Sequence, residues 1–596
     1  MEIRIGHGWK KEIFRTFLCA AGYIAFVLFL QWIVPGNSKF GAEKNLLGFG
    51  AGIFALSALL YDFTRGFFLR FATFFLFWLS LALLEIQVSM AVDGVEIIRT
   101  ASLAMLLFAV IGAAAYAASI LPFKILRAAG RMIVGILLFA TLFYPLLFWG
   151  YYGVSGQFFS VDTLLAIFQT NTEEAVSYLQ MQHPMLPVLI ACGLMALGYI
   201  VYRNMMWGGS QNRDRVKYFL ILLILVVSGL KFPATFNCHA VGLIRETKKE
   251  LDNYKMYGQQ SKERERKLSR MDVRLAQKEP GIYLLIIGES ETRDHMSVYG
   301  YSHKTTPWLE TETEKPETIL FQNAFSNHTH TVPVLTYSLT EKNQYNKMKL
   351  AKAFSIVEIA KAAGYKTYWI SNQQRWGVYE TPITQIIISA DKQFWCNHAS
   401  EKGYKTSSFD GNLVTCIPDL SDVSHAFVVV HLMGCHGGYK DRYPSEYALE
   451  TSDDEQVKTY DSAVYYNDAA LRQITETLSR YPHFKGWIYM SDHGEDPDTH
   501  SGHDASKFTW RKARIPLIMH FSDGFISENP EIFETLSAHR ESYWTNDLLY
   551  DLMLSVLGIE NTPHRATHLD LASPSYDRTK GNTLTLHGKE RISEAP

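Results

Sequence analysis

Three runs beyond residue 280 end an apolar stretch on residues that can hold a metal. YLLIIGES ends in Glu289, WIYMSDHGED carries Asp492 and His493, and VVVHLMGCHGG carries His431 and His436. His500 and His503 follow the Asp-His pair in a polar stretch suited to reaching back over it. A carboxylate just after an apolar strand is often only a helix cap or a turn residue. An adjacent Asp-His pair at one strand end, with a Glu at another, is harder to dismiss. Carboxylate oxygen and imidazole nitrogen are the donors that catalytic zinc uses while keeping one position open. Such a centre needs a nucleophile, and AFSNHTHTVPVLTYSL offers Thr329 and Thr331 just before an apolar helical pattern. Thr331-Val-Pro reads as a helix N-cap with proline in the first turn, and in an unfamiliar sequence a threonine there is usually no more than a cap. The position also has a chemical use. A helix N-terminus attracts a phosphoryl oxygen, and zinc lowers the pKa of a bound hydroxyl.

Groups so far apart in sequence meet only if a sheet aligns the strands that carry them. Apolar runs bounded by Gly, Asn, Asp or Pro predict strands at Ile282–Ile287, Lys366–Ser371, Phe427–Leu432, Trp487–Met490 and Pro516–Phe521. Helical periodicity lies between them at Ser355–Ala363, Val457–Leu478 and Asp547–Leu557. Strands apolar throughout and spaced by helices indicate an α/β domain with a buried, mostly parallel sheet. In such sheets ligands bind beyond the carboxyl ends of the strands, where the candidate ligands stand.

The first half of the chain is a different material. At 596 residues the length suggests two to four domains, and 48% hydrophobic with 19% charged residues is apolar for a soluble enzyme. A net charge of −2 excludes a globally basic nucleic-acid binder, and six cysteines exclude a disulfide scaffold. Runs that fit a bilayer core are Phe14–Val34, Leu46–Tyr61, Phe71–Met90, Ala101–Leu121, Met132–Tyr152, Met185–Tyr202 and Tyr218–Leu230. Two of these are short, so five to seven spans are expected, and seven is adopted. Basic residues precede the first, fifth and seventh runs (Lys10, Lys11, Arg15; Lys124, Arg127, Arg131; Arg203, Arg213, Arg215, Lys217), whereas 153–184 has neither Lys nor Arg. That alternation follows the positive-inside rule, Lys39 and Lys44 excepted, and places everything after about residue 232 outside the cytoplasm. The expected layout is a transmembrane domain over 1–232, a charged linker or bridging helix over 233–280, and a catalytic α/β domain over 281–596. The linker reads either as a solvated helix or as one lying on anionic headgroups.

Taken in order, GESETRDHMSVYGYSHKTTPWLE, NHTHTVPVL, GYKTYWISNQQ, HLMGCHGGYKDRYP, YDSAVYYNDAAL and YMSDHGED resemble the bacterial membrane-anchored phosphoethanolamine transferases of the alkaline-phosphatase/sulfatase superfamily. The likeness covers residues 281–558 well and the apolar half more loosely. It implies an α/β/α sandwich behind an all-α polytopic membrane domain in a bacterial inner membrane, with the catalytic domain in the periplasm. It further implies one tightly bound zinc on Glu289, Thr331, Asp492 and His493, with Thr331 as nucleophile and Thr329 as runner-up. His436 and His503 would contact the phosphoryl group or a weaker second ion. The implied reaction moves phosphoethanolamine from phosphatidylethanolamine, through a phosphothreonine, to an outer-leaflet glycolipid such as lipopolysaccharide. A core sugar is favoured over lipid A, because the nucleophile segment lacks the flanking cysteines of the lipid A branch. The donor headgroup would be held in loop 153–184 by Thr170 and Glu174, four apart on one helix face. Ala166 departs from the asparagine expected there. GESETR has one residue more than the usual motif, which leaves Arg293 without a role. The resemblance implies a monomer working at a membrane, with no nucleic-acid partner.

Competing readings lack features. A sulfatase needs Cys/Ser-x-Pro-x-Arg, and Cys416-Ile-Pro-Asp-Leu has no arginine. A phosphoglycerol transferase shares the threonine and the Asp-His pair and differs in its donor pocket. A non-catalytic scaffold would be expected to have lost one of Glu289, Thr331, Asp492 and His493. Among the cysteines outside the apolar runs, Cys396 and Cys416 are the expected disulfide, although sequence does not fix connectivity. Cys435 reads as a small unreactive residue.

Overall fold

The computed structural model describes residues 8–34, 43–88, 94–169, 185–205, 215–231, 233–276, 279–373, 382–396, 409–499 and 507–595. The chain divides into two units: Met1–Val161 with His183–Lys248, and Asp162–Gln182 with Lys249–Pro596.

The first unit is helical: α1 (Gly8–Ile33), α2 (Lys44–Leu60), α3 (Arg65–Val88), α4 (Val95–Ile120), α5 (Lys124–Ser155), then, beyond the short α6 (Val161–Gln169), α7 (Leu186–Met205), α8 (Val216–Lys231) and the start of α9 (His239–Gln259). Within the described residues, each of the seven apolar runs lies mainly on one of α1–α5, α7 and α8. Among the described residues, four stretches, Lys10–Ile33, Arg65–Val88, Val95–Ile120 and Lys124–Gly153, are long and apolar enough to cross a membrane, while Lys44–Leu60 and Val188–Asn204 are apolar but shorter. Helix α4 is buried almost all round, whereas α1 and α5 expose large apolar side chains such as Phe14, Trp32, Ile125 and Ile136. That distribution suits helices whose outer solvent is hydrocarbon. Small residues let backbones approach closely: a Cβ on Gly130 of α5 would stand 2.6 Å from that of Ala118 in α4.

The second unit is built on a seven-stranded sheet: β1 (Gly281–Gly288), β2 (Thr318–Leu320), β3 (Lys366–Ser371), β4 (Lys392–Trp395), β5 (His425–His431), β6 (Phe484–Ser491) and β7 (Leu517–Phe521). The order is β2–β7–β6–β1–β5–β3–β4. Strands β6, β1, β5, β3 and β4 run parallel, and β7 runs antiparallel to both of its neighbours, β6 and the edge strand β2. All five expected strands are present; β2 and β4 are additions, both short and at the edges. One face buries Ile282, Leu284, Ile286, Val428 and Val430 against Tyr460, Val464, Leu471 and Ile474 of α11 (Glu455–Leu478, where α10 is the helix Thr331–Ser338). The pleat turns Leu285, Ile287 and Val429 to the opposite face, where they are equally buried. With both faces covered, the central strands need apolar residues at every position, which is how they read in sequence.

The 233–280 segment is more than a solvated connector. In the second unit, Arg264 is buried on the helix Ser261–Leu268, its Nε 3.1 Å from Glu358 Oε1 and its guanidinium 3.8 Å over the Tyr257 ring. Glu358 also closes the capping box of the helix Ile356–Ala363 with Ser355. Arg264→Ala leaves that carboxylate buried without its countercharge, at an expected cost of about 3–5 kcal/mol, or roughly 5–15 °C in Tm. Lys267→Ala, which breaks the exposed Glu263 pair, should move Tm by less than about 2 °C. Scanning fluorimetry of the detergent-solubilised chain compares the two.

Candidate metal centre

The register of β1 against β6 pairs Gly288 with Ser491, so the next residues, Glu289 and Asp492, leave the sheet side by side. Ser290 then adopts a left-handed conformation (φ 57°), a strained geometry for a non-glycine residue that its contacts hold in place. Its amide donates to Asp492 Oδ1 (3.2 Å) and its hydroxyl to Glu289 Oε1 (3.0 Å). The His493 amide also donates to Asp492 Oδ1 (2.6 Å). His493 Nδ1 lies 2.9 Å from the Gly494 carbonyl and must donate to it, so in the neutral imidazole Nε2 carries the lone pair. That nitrogen faces Glu289 Oε1 at 3.3 Å and Asp492 Oδ2 at 3.6 Å.

Among the described residues, Glu289, Asp492 and His493 form the one group of three whose ligand atoms all lie within 4.8 Å of one another. All three are buried. Asp492 Oδ2 accepts no hydrogen bond from a described residue. Burial, then the charge of Glu289, pushes the Asp492 carboxyl well above its usual range. Burial lowers the proton affinity of His493, but Asp492 and Glu289 outweigh it and raise it overall. Three acceptors turned on one buried point are satisfied by protons or by a cation between them. Two carboxylates and a neutral imidazole with its lone pair inward are a fitting donor set for zinc.

Thr331 is drawn to the same point. Its hydroxyl donates to Glu289 Oε2 at 3.0 Å. It is the first residue of α10 rather than its cap: His330 holds the cap position and makes no side-chain cap bond. The N-cap reading is therefore displaced by one residue, because the Thr331 side chain is engaged by Glu289 instead of by the helix amides. Thr329 is buried and pairs with His330 Nδ1 (3.2 Å).

His436 sits in the loop after β5, half-buried, with its carbonyl held by Arg442 Nε (3.1 Å). This loop lies against Glu289. Gly434 has φ 52° and a Cβ there would fall 2.6 Å from the Glu289 carbonyl oxygen, while the Cys435 amide donates to that oxygen at 2.8 Å. Asp410 fixes the loop by accepting from the amides of Met433 (2.9 Å) and Gly434 (2.8 Å). His431 belongs to the core. Neither of its ring nitrogens has a hydrogen-bond partner among the described residues, and burial pushes its pKa down to about 4. Cys435 is buried, and burial pushes its thiol up, away from thiolate chemistry. Cys396 and Cys416 form a disulfide. Arg293 donates to the Gln322 carbonyl, a scaffold contact. His500, His503, Thr170 and Glu174 lie outside the described residues.

Sequence reasoning missed the polar frame behind the cluster. The Asp492 carbonyl accepts from Ser326 Oγ and Asn546 Nδ2, both at 2.6 Å. Asn546 Oδ1 in turn takes the Asn327 amide (2.8 Å) and Asn327 Nδ2 (2.7 Å). The available signal was a pair of unbroken polar runs, Ser326-Asn327-His328 and Thr545-Asn546-Asp547, each abutting apolar sequence.

Residues 282–559 match the Sulfatase family model. The chain is 27% identical over 451 residues to phosphoethanolamine transferase EptC of Escherichia coli K12, covering 67% of this chain and 75% of that protein. It is 23% identical over 449 residues to phosphoethanolamine transferase EptA of Helicobacter pylori, covering 71% and 80%. Among solved structures, the integral membrane protein lipooligosaccharide phosphoethanolamine transferase A from Neisseria meningitidis aligns over 95% of this chain and 98% of its own, with a TM-score of 0.56 and 18% identity. That likeness establishes a shared fold, an apolar helical region followed by the mixed α/β domain. The C-terminal periplasmic domain of Escherichia coli EptC in complex with Zn aligns over 55% of this chain and 96% of that one, at a TM-score of 0.49 and 24% identity.

Raised proton affinities mean that protons hold the metal-free site near neutrality and compete with the metal. Zinc affinity should therefore rise with pH between about 6 and 8. Calorimetry in buffers of different ionisation enthalpy should show net proton release at pH 7. Elemental analysis should find tightly bound zinc in the wild type and none in Asp492→Ala. An affinity flat across this range would contradict the charge argument.

Proposed function

We propose that the chain is a zinc-dependent phosphoethanolamine transferase, taking its group from phosphatidylethanolamine and passing it to an outer-leaflet glycolipid such as lipopolysaccharide. The observation that carries this reading is the Thr331 hydroxyl, 3.0 Å from Glu289 at the head of α10 and joined through it to the Asp492–His493 pair. The names of the relatives supply the group transferred, and the apolar helices of the first unit suit a lipid donor.

In the first half-reaction Thr331 Oγ attacks phosphorus, and the bond from phosphorus to the diacylglycerol oxygen breaks. The Thr331 proton, already shared with Glu289 Oε2, passes by way of that carboxylate towards the departing oxygen. In the second half-reaction an acceptor hydroxyl or phosphate oxygen attacks the phosphothreonine, and Thr331 leaves and regains its proton. Zinc held by Glu289, Asp492 and His493 supplies Lewis acidity, lowering the hydroxyl pKa and offsetting phosphoryl charge. The N-terminal amides of α10 add positive potential at the same place. His436 and His503 are assigned to the phosphoryl group or a weaker second ion, and a core sugar to the acceptor. Thr170 and Glu174 are assigned to the ethanolamine headgroup. The chain is read as a multi-pass inner-membrane monomer with its catalytic unit in the periplasm.

Intact-mass measurement after incubation with phosphatidylethanolamine tests the nucleophile. Wild type and Thr329→Ala should gain the mass of one phosphoethanolamine, and Thr331→Ala should not. Zinc content should survive in Thr331→Ala, and Tm should hold to within about 2 °C, since no cap bond is lost. An adduct that persists in Thr331→Ala and vanishes in Thr329→Ala would move the nucleophile.

Glu174→Gln removes one carboxylate at constant size. Transfer below donor saturation should fall by about ten- to a hundredfold, with zinc unchanged. A wild-type rate would exclude Glu174 from the donor site.

A further inference from the structure

Beyond residue 559, where the match to the sulfatase family ends, Leu584–Thr585 pairs with Glu590–Arg591 in a small antiparallel hairpin. Its tip runs through Leu586 (φ 50°), His587 (φ 54°) and Gly588 (φ 87°), three successive residues in the left-handed region. Two of them carry side chains that disfavour it, a conformation that persists only where surrounding contacts over-determine it.

Those contacts converge on the segment before Thr331. The His587 amide donates to the Asn327 carbonyl at 3.0 Å, and His587 Nε2 lies 3.0 Å from Asn327 Oδ1. Because the Asn327 amide nitrogen already donates to the Val334 carbonyl (3.2 Å) and to Asn546 Oδ1 (2.7 Å), Oδ1 is the acceptor and His587 the donor. The His587 ring lies flat on Tyr337 of α10, with centroids 3.8 Å apart and planes 7° from parallel. Thr585 Oγ1 donates to the Ser326 carbonyl at 2.7 Å. Lys589 Nζ lies 3.5 Å from Asp162 Oδ2, and Asp162 Oδ1 lies 3.4 Å from His328 Nε2. The hairpin thus holds the chain on both sides of Thr331, at 326–328 and at 337. Asn327 links it through Asn546 to the Asp492 carbonyl.

We propose that His587 is a positioning residue for the transfer. Through Asn327 and Tyr337 it sets Thr331 against the Glu289–Asp492–His493 cluster, so a segment outside the family domain completes the site. The proposal rests on Thr331 being the nucleophile. It does not place His587 in contact with substrate.

The test uses the full chain in detergent with phosphatidylethanolamine, following adduct mass against time, donor KM, zinc content and Tm. His587→Gly removes the ring and the strain together. Adduct formation should slow by about ten- to a hundredfold, the scale expected when a reacting atom is misplaced by an ångström or less. Donor KM and zinc should be unchanged and Tm the same or higher. His587→Gln returns an N–H donor at similar reach and should restore part of the rate. A merely structural role would instead lower Tm and zinc content together with the rate, and glutamine would not rescue selectively. His587→Gly forming the adduct at the wild-type rate would overturn the proposal alone. A wild type that loads zinc but forms no Thr331 adduct would overturn the nucleophile reading and this proposal with it.

Discussion

Glu289, Asp492 and His493 turn acceptor atoms towards one buried point, and the surrounding structure is arranged to keep them there. Left alone, the two carboxylates would repel each other and each would seek water. The protein denies both exits. Ser290 is bent into a left-handed turn whose amide and hydroxyl hold Asp492 and Glu289, and the Gly494 carbonyl fixes the imidazole so that its lone pair points inward. The electrostatic cost is high without a cation and is offset when one binds. A site of this kind couples occupancy to local order.

The sheet supplies the alignment on which that convergence depends. Parallel strands β5, β1 and β6 end in register, so residues separated by more than 200 positions leave the same edge as neighbours. Side chains alone would not hold the arrangement. Asp410, Ser326 and Asn546 bind main-chain groups rather than ligands, so the loops are located by their backbones and the ligating side chains inherit their positions.

The central strands and the grouping of Glu289, Asp492 and His493 were legible in the sequence for a shared reason. A strand buried on both faces must be apolar throughout, and a charged residue directly after such a run stands out. The edge strands Thr318–Leu320 and Lys392–Trp395 were not legible, because each is short and partly polar. The frame residues escaped because asparagine, serine and aspartate are ordinary loop residues, and their task appears only when distant segments meet. The 233–280 stretch was read from its charge alone. Its composition is that of a solvated helix, and one arginine of many turns inward to meet Glu358. Local spacing read Thr331 only as a helix cap, and its role as nucleophile came from the family resemblance, since spacing cannot show that a carboxylate 42 residues away claims the hydroxyl.

The burial of Arg264 also bears on how the catalytic unit can be cut free. Sequence alone suggests starting a soluble fragment near residue 275, just before the first central strand. Such a fragment would discard Arg264 and leave the Glu358 carboxylate, and the start of the helix it caps, facing an empty slot. Of the two segments that make up the second unit, Asp162–Gln182 and Lys249–Pro596, the longer begins instead at Lys249. A fragment starting there keeps the guanidinium and the Tyr257 ring it stacks on, so the better boundary for secretion or crystallisation lies within α9, some way ahead of the family domain.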